Sequence, residues 1–385
     1  MAEAVTLYAA PMSMYSGKVR SYLRKQGIAF NEVMPGHPSY GEKIIPKTKR
    51  GILPVVELAD GTVIQDSVDI IDHFEQSGQA KFSVYPETPK QHIAALIIDM
   101  FGSEGLLKVA MHYRWNFLQH NKAFIELEFG DHIAPGAGQD VVRKVAEKVM
   151  KPMQAYLPLL GVNEKTIPAI EAQYLELLAL LNQHFEQHPY LFGGLPCVAD
   201  YSLMAPLYAH LSRDPYPGMI MKSKAQRVYR WVERMNAENA DMPEYPGYPQ
   251  QYFTDDEIPQ SLQSILRLIA KDFLPEVKSM VSEIDGWLAT NRVEEGQCVT
   301  EKPRVKSLKP MDYPFRDTTI TGMVIPYQLY MLQRISDYFN QCDSEQQTAV
   351  NDFYSGIDLQ SLINLKAKRR VERPGLIEVW GLETA

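Results

Sequence analysis

Hydrophobic spacing divides the chain into three stretches, one mixed and two dominated by helical period. In the first, "VTLYAA" reads as a β-strand, and "GKVRSYLRKQG" after it sets Val19, Tyr22 and Leu23 on one helical face and stops at Gly27. "IAFNEVMP" predicts a second strand. A polar segment rich in Pro and Lys runs to Arg50, and "LPVVEL" and "TVIQ" then predict a hairpin, because Asp60-Gly61 between them accepts the positive φ of a tight primed turn. Ser67 is the candidate N-cap of the next helix, "SVDIIDHFEQSG", whose Val68, Ile70, Ile71 and Phe74 recur at helical spacing ahead of Gly78. Strand, helix, strand, irregular segment, hairpin and helix thus fill residues 1–80 as one α/β domain.

From 88 to 240 nearly every segment has helical period, from "QHIAALIIDMFGSEGLLKVAMHYRW" to "AQRVYRWVERMN", which predicts an all-helical second domain. "ADMPEYPGYPQQYFTDDEIP" breaks that pattern and marks a boundary. Residues 250–385 form a C-terminal extension, expected to be mostly helical, with clear helices in "QSLQSILRLIAKDFLPEVKSMVSEIDGWL" and "IPYQLYMLQRISDYFNQ" and an irregular stretch between them. There is no internal repeat.

Composition narrows the functional classes. A length of 385 residues exceeds one domain of about 150 and predicts two or three. Apolar content of 45% and charged content of 22% are those of a soluble globular protein, and no segment approaches the ~20 apolar residues of a membrane span. The start, "MAEAVTLYAAPM", lacks a secretory pattern, and three cysteines are too few for a disulfide framework, so a reducing, cytoplasmic setting is expected. The net charge of -8 disfavours nucleic acid, and the basic run "LKAKRR" reads as a solvated helix end. No phosphate-cradling loop, dinucleotide fingerprint or G-x-S-x-G elbow is present.

A small α/β unit with an X-Pro before its third strand, followed by a helical domain, resembles the cytosolic glutathione transferase family, whose first domain is thioredoxin-like. "GILPVV" is similar to the family's G-x-V-P-x-L element, so the resemblance implies a cis Leu53-Pro54 bond and a Leu53 backbone that pairs with the cysteinyl part of glutathione. "IQDS" resembles the E/D-S element, which implies that Asp66 and Ser67 hold the γ-glutamyl end, its carboxylate at a helix N-terminus. "GGLPCVADYSLMAPLY" resembles the family's folding element, with Asp200 in the capping role. Counting back seven residues from Arg20 puts Ser13 where the family keeps its activating serine or cysteine, and "SMYS" lies over the C-x-x-C of glutaredoxin-like relatives. With oxygen in place of both sulfurs, disulfide chemistry is excluded and a hydroxyl that stabilises the bound thiolate remains.

The departures from the pattern are as specific. Ile52 stands where the family often has a lysine or glutamine, which leaves the glycine carboxylate of glutathione to a cation among Lys43, Lys47, Lys49 and Arg50. Met14 replaces the proline after the activating residue, and Cys197 replaces the usual Ser or Thr cap. The extension lies outside the two-domain pattern altogether. Tyr8, Tyr15 and Ser16 are competing hydroxyls near Ser13, and Ser13 itself is also a natural helix cap. Met14, Tyr15, Met111, His112 and Trp115 are the candidate electrophile-pocket residues, with plain core packing as the competing role for the last three. His184 and His188 in "HFEQH" have metal-ligand spacing without a third ligand and read as a surface pair at a helix end, so no metal is expected. The resemblance therefore implies a serine-type glutathione transferase that joins glutathione, its co-substrate, to a small hydrophobic electrophile, and that forms a homodimer with no nucleic-acid or membrane partner. The alternatives are a binding or scaffold protein on the same fold, or a glutathione-dependent isomerase, lyase or peroxidase.

Overall fold

In a computed structural model of the chain, which describes residues 5–302 and 305–384, the first domain is built on four short strands. These are Val5–Tyr8 (β1), Phe30–Val33 (β2), Val55–Glu57 (β3) and Val63–Gln65 (β4), in the order β2-β1-β3-β4, with β1 parallel to β2 and the other pairs antiparallel. Three helices accompany them: Met14–Gln26 (α1), the short Ile45–Thr48 (α2) and Ser67–Gln76 (α3). The expected hairpin forms, with Gly61 at φ +83° and the Thr62 N–H donating to Asp60 Oδ1 at 2.9 Å. Helix α1 starts earlier than its apolar periodicity predicts, because the Ser13 side chain caps it. Asp66, not Ser67, is the N-cap of α3, since its Oδ1 accepts the Val68 N–H at 2.9 Å. This is a thioredoxin-like domain, as the order of elements predicts.

The second domain is helical: Pro89–Met100 (α4), Leu107–Trp115 (α5), Leu118–Ile133 (α6), Gln139–Gln154 (α7), Ile167–His184 (α8), Val198–Ala209 (α9), Pro215–Lys224 (α10) and Gln226–Asn236 (α11). A π-helical turn over Phe101–Gly105 joins α4 to α5. Helix α9 lies against α1, α4 and this turn, and a Cβ on Gly102 would come within 2.7 Å of the Ser202 carbonyl carbon, so only glycine permits the approach. Asp200, fully buried at the start of α9, accepts from the N–H groups of Cys197 and Leu191 at 3.0 and 3.1 Å and from Trp231 Nε1 at 3.1 Å.

The extension holds helices Gln260–Asp272 (α12), Leu274–Leu288 (α13), Pro326–Gln341 (α14), Ser344–Ser355 (α15) and Gln360–Ile363 (α16). It also holds two antiparallel ribbons that apolar spacing does not announce, Pro310–Phe315 (β5) with Thr318–Met323 (β6) and Arg369–Glu372 (β7) with Val379–Glu383 (β8). Pro310 and Pro314 disguise β5; both are exposed, on a two-stranded ribbon whose outer edges need no donor. The basic run does not end a helix, as expected, but leads into β7, where Arg370 pairs with Asp337 at 2.7 Å. Helix α14 packs on α4, and one buried apolar cluster runs from Val19 and Phe74 in the first domain through Ile97 to Leu332 and Trp380 in the extension.

Candidate functional site

The first domain and the extension face each other across a narrow cleft. The Leu53-Pro54 peptide is cis, and Leu53, Pro54, Asp66 and Ser67 line one wall together with Tyr15 and Glu104. Ile325, Pro326, Tyr327, Lys306 and Glu378 of the extension line the other. The cleft measures about 110 Å³, below the ~300–1,000 Å³ of ordinary ligand clefts, because the extension supplies a wall.

Asp66 carries the most constrained backbone in this wall, a non-glycine residue at φ +96°, a conformation that costs roughly 1–3 kcal/mol. Its side chain offsets part of that cost: Oδ1 accepts the Val68 N–H and the Tyr327 hydroxyl, each at 2.9 Å. Ser67 follows at 3% exposure, on the first turn of α3, where unpaired N–H groups favour an anion.

Of the four cations near the expected carboxylate site, Arg50 reaches the cleft. Its Nε donates to Gln65 Oε1 at 2.9 Å, Nη1 to Glu378 Oε2 at 3.3 Å and Nη2 to the Leu376 carbonyl. Lys47 instead bonds the Gly61 carbonyl at 2.8 Å on the surface, and Lys43 and Lys49 are exposed. Arg373 ties the opposite wall down. It donates to Glu378 and to Asp69 Oδ2, the latter at 2.9 Å, and its guanidinium lies 5.5 and 5.8 Å from the Tyr327 and Tyr330 rings. Asp66, Asp69 and Asp72 make one stripe along α3, answered from α14 by Tyr327, Tyr330 and Arg334. Burial pushes the Asp69 carboxyl up to about 6, with the Arg373 charge pulling the other way. Burial also holds the Tyr15 and Tyr327 phenols well above their usual range, so both are neutral donors at physiological pH.

Ser13 is half-buried at the head of α1, next to the cleft in sequence through Tyr15 but not part of its wall. Its Oγ accepts the Ser16 N–H at 3.4 Å. The loop before it is fixed to the helical domain by Arg114, which donates to the Met12 carbonyl at 3.1 Å, to the Ala209 carbonyl at 2.8 Å and to both oxygens of buried Asp214 at 2.7 and 2.8 Å. Of the candidate electrophile-pocket residues, Tyr15 lines the cleft and donates to the Ser103 carbonyl at 2.8 Å. The others lie elsewhere. Met14 packs with Ala110, Ala205 and Ala209; Met111 and Trp115 are in the helical core; His112 is buried between Glu171, at 3.0 Å, and Asn116, at 2.7 Å. Tyr8 bonds Ser39 and Glu57, and Ser16 is fully buried. His184 is not a surface residue, as expected, but fully buried, with Ser261 Oγ at 2.9 Å and the Tyr190 carbonyl at 3.2 Å. Among the described residues no cluster of three or more His, Cys, Asp or Glu stands together as a metal site, and no helix is long and apolar enough to cross a membrane.

Sequence reading does not find Glu104, Tyr327, Arg373 or Glu378. The one available signal is spacing: Tyr327, Tyr330 and Arg334 recur along a predicted helix as the three aspartates do along α3.

Residues 7–81 match the glutathione S-transferase N-terminal domain family, and residues 137–239 match the glutathione S-transferase C-terminal domain family. Solved structures that match part of the chain include a glutathione S-transferase from Rhodospirillum rubrum F11, 12% identical, with TM-score 0.39, covering 67% of this chain and 97% of its own. The β-etherase LigF from Sphingobium sp. strain SYK-6 is 18% identical, with TM-score 0.41, 62% of this chain and 97% of its own. Glutathione transferase GSTFuA3 from Phanerochaete chrysosporium is 14% identical, with TM-score 0.42, 63% of this chain and 99% of its own. No curated protein matches the chain. The two domain families match in chain order, the first on the thioredoxin-like sheet and the second within the helical bundle, so the chain carries a glutathione S-transferase N-terminal domain followed by a glutathione S-transferase C-terminal domain.

Proposed function

We propose that this protein binds glutathione in the cleft, ionises its thiol with help from Ser13, and joins the thiolate to a small hydrophobic electrophile. The observation that carries the reading is the convergence of cis Pro54, the Asp66-Ser67 helix start and the Arg50 guanidinium on one cavity. The residues present fit the tripeptide's charges. Asp66 suits the γ-glutamyl amine, the first turn of α3 its carboxylate, and Arg50 the glycine carboxylate once Glu378 gives way. Capping and catalysis are compatible at Ser13, because the cap uses an oxygen lone pair and leaves the hydroxyl proton free for a thiolate. Lowering a thiol from about 8.5 by two units corresponds to about 2.7 kcal/mol of preference for the anion, and a hydroxyl donor at a helix N-terminus is suited to supply it. A cytoplasmic homodimer is the setting and assembly that accompany this reading.

One observation favours a second reading, a glutathione-transferase-like binding or scaffold protein: Tyr327 and Glu378 already engage the Asp66 and Arg50 groups that a ligand would use. Isomerase, lyase and peroxidase chemistry would use the same thiolate. Calorimetric titration with glutathione at neutral pH, comparing wild type with Asp66→Ala, tests the site. Binding that the substitution weakens supports the enzyme reading, and a folded wild type that does not bind refutes it in favour of the scaffold.

A further inference from the structure

We infer that Glu104 is a catalytic proton donor in the cleft, acting on an electrophile that gains negative charge as the thiolate adds; an enal serves below as the probe. The inference rests on the glutathione reading above. Glu104 lies in the π-helical turn between α4 and α5, 9% exposed, in the wall shared by Tyr15 and Asp66. That turn is closely packed. Its Gly102 abuts the backbone of α9, and a Cβ on Gly105 would come within 2.6 Å of the Phe101 ring. π-turns inside helices frequently accompany functional sites.

Of the two tyrosines of the cleft, Tyr15 donates to the Ser103 carbonyl while its phenol also faces the Glu104 carboxyl, and Tyr327 donates to Asp66. Glu104 has no ion-pair partner among the described residues. Of the cations around it, Lys18 is bound to Asp99 at 2.6 Å and Lys306 is an exposed residue of the extension. The other charged groups that act on it are Asp66 at the start of α3 and Glu276 on α13, and Lys108 is bound to that glutamate at 2.7 Å. Burial first, with the Asp66 and Glu276 carboxylates adding, pushes Glu104 up to about 8 against the pull of Lys306 and Lys18. At neutral pH it is a carboxylic acid facing the ligand space.

A neutral acid in that position is useful to an electrophile that gains negative charge as the thiolate adds. The glutathione sulfur forms a C–S bond to the β-carbon of the enal, and the C=C pair moves toward the carbonyl to give an enolate. The Glu104 O–H breaks, its proton goes to the enolate, and the carboxylate left behind is reprotonated by the proton of the next glutathione thiol. The net change is addition of a thiol across C=C, with no oxidant or reductant.

The test measures glutathione-dependent turnover of trans-2-nonenal against pH in wild type and Glu104→Gln, with calorimetry of glutathione binding and infrared spectra of both unliganded proteins. Wild-type kcat/KM should fall as pH rises through about 8, the range in which Glu104 loses its proton. Glu104→Gln should lower kcat/KM by about 10²-fold or more and remove that alkaline limb, with glutathione affinity unchanged. The protonated-carboxyl band of wild type should fade over the same pH range and be missing from the variant. Should Glu104→Gln fail to fold, Glu104→Asp should retain an alkaline limb at reduced rate. Wild type that binds glutathione yet does not turn over the enal, a variant that keeps the alkaline limb, or the lack of the infrared band overturns the assignment of Glu104 alone. Absence of glutathione binding overturns the glutathione reading and this inference with it.

Discussion

Tyr327→Phe is the sharpest test of how the extension and a ligand share the cleft. The substitution removes one hydroxyl and keeps the ring, so the contact of the Arg373 guanidinium with that ring, 5.5 Å to its centre, survives. The bond lost is the 2.9 Å donation to Asp66 Oδ1. Hydrogen bonds to charged groups contribute about 1.5–3 kcal/mol, and Asp66 is half-buried, so the low end applies. If the γ-glutamyl amine must displace this hydroxyl, removing it spares the ligand about 1.5 kcal/mol, and glutathione should bind roughly tenfold more tightly to Tyr327→Phe than to wild type. Calorimetry at neutral pH measures this directly, and the phenol stays neutral there because burial raises its pKa. In the Asp66→Ala background the same change should have no effect, since the acceptor is gone. An unchanged or weaker affinity in Tyr327→Phe would refute the competition and make Tyr327 part of the binding surface.

Two further outcomes follow from the helix head and its support. Ser13→Ala should raise the pKa of the bound glutathione thiol, read from thiolate absorbance against pH, and lower stability by only about 0.5 kcal/mol, because the capping bond is long at 3.4 Å. A stability loss with an unmoved thiol would leave Ser13 a cap alone. Arg114→Leu should cost about 3–5 kcal/mol in urea unfolding, since it strands the Asp214 carboxylate, which is fully buried; a loss under about 1 kcal/mol would show that the pair is not load-sharing.

The first domain was legible because its signals are local. Asp60-Gly61 reports its own turn, and the spacing of Val68, Ile70, Ile71 and Phe74 reports its own helix. Leu53-Pro54 and Asp66-Ser67 were legible as motifs, and they do line one cleft. What escaped was long-range. Arg50 stands out from Lys43, Lys47 and Lys49 only when Glu378 and Leu376, more than 300 positions away, come to meet it. Glu104 reads as an ordinary polar residue inside one long helical segment until burial and Asp66 surround it. His184 looked exposed because nothing in "HFEQH" announces that Ser261 of α12 will cover it. The ribbon β5 was hidden by prolines that an isolated edge tolerates and a central strand would not.

The apolar cluster that runs without a break from Val19 to Trp380 bears on how the chain melts. Domains drawn by sequence motif suggest three units that unfold separately, but cooperativity follows shared interior. Ile93 and Ile97 on α4 are almost fully shielded, and α14 lies on that helix. Stripping the extension away would hand the face of α4 beneath α14 to water at about 25 cal/mol per Å² of apolar surface, on a helix that also supports the bundle. The extension therefore belongs to the interior that keeps the cleft in shape.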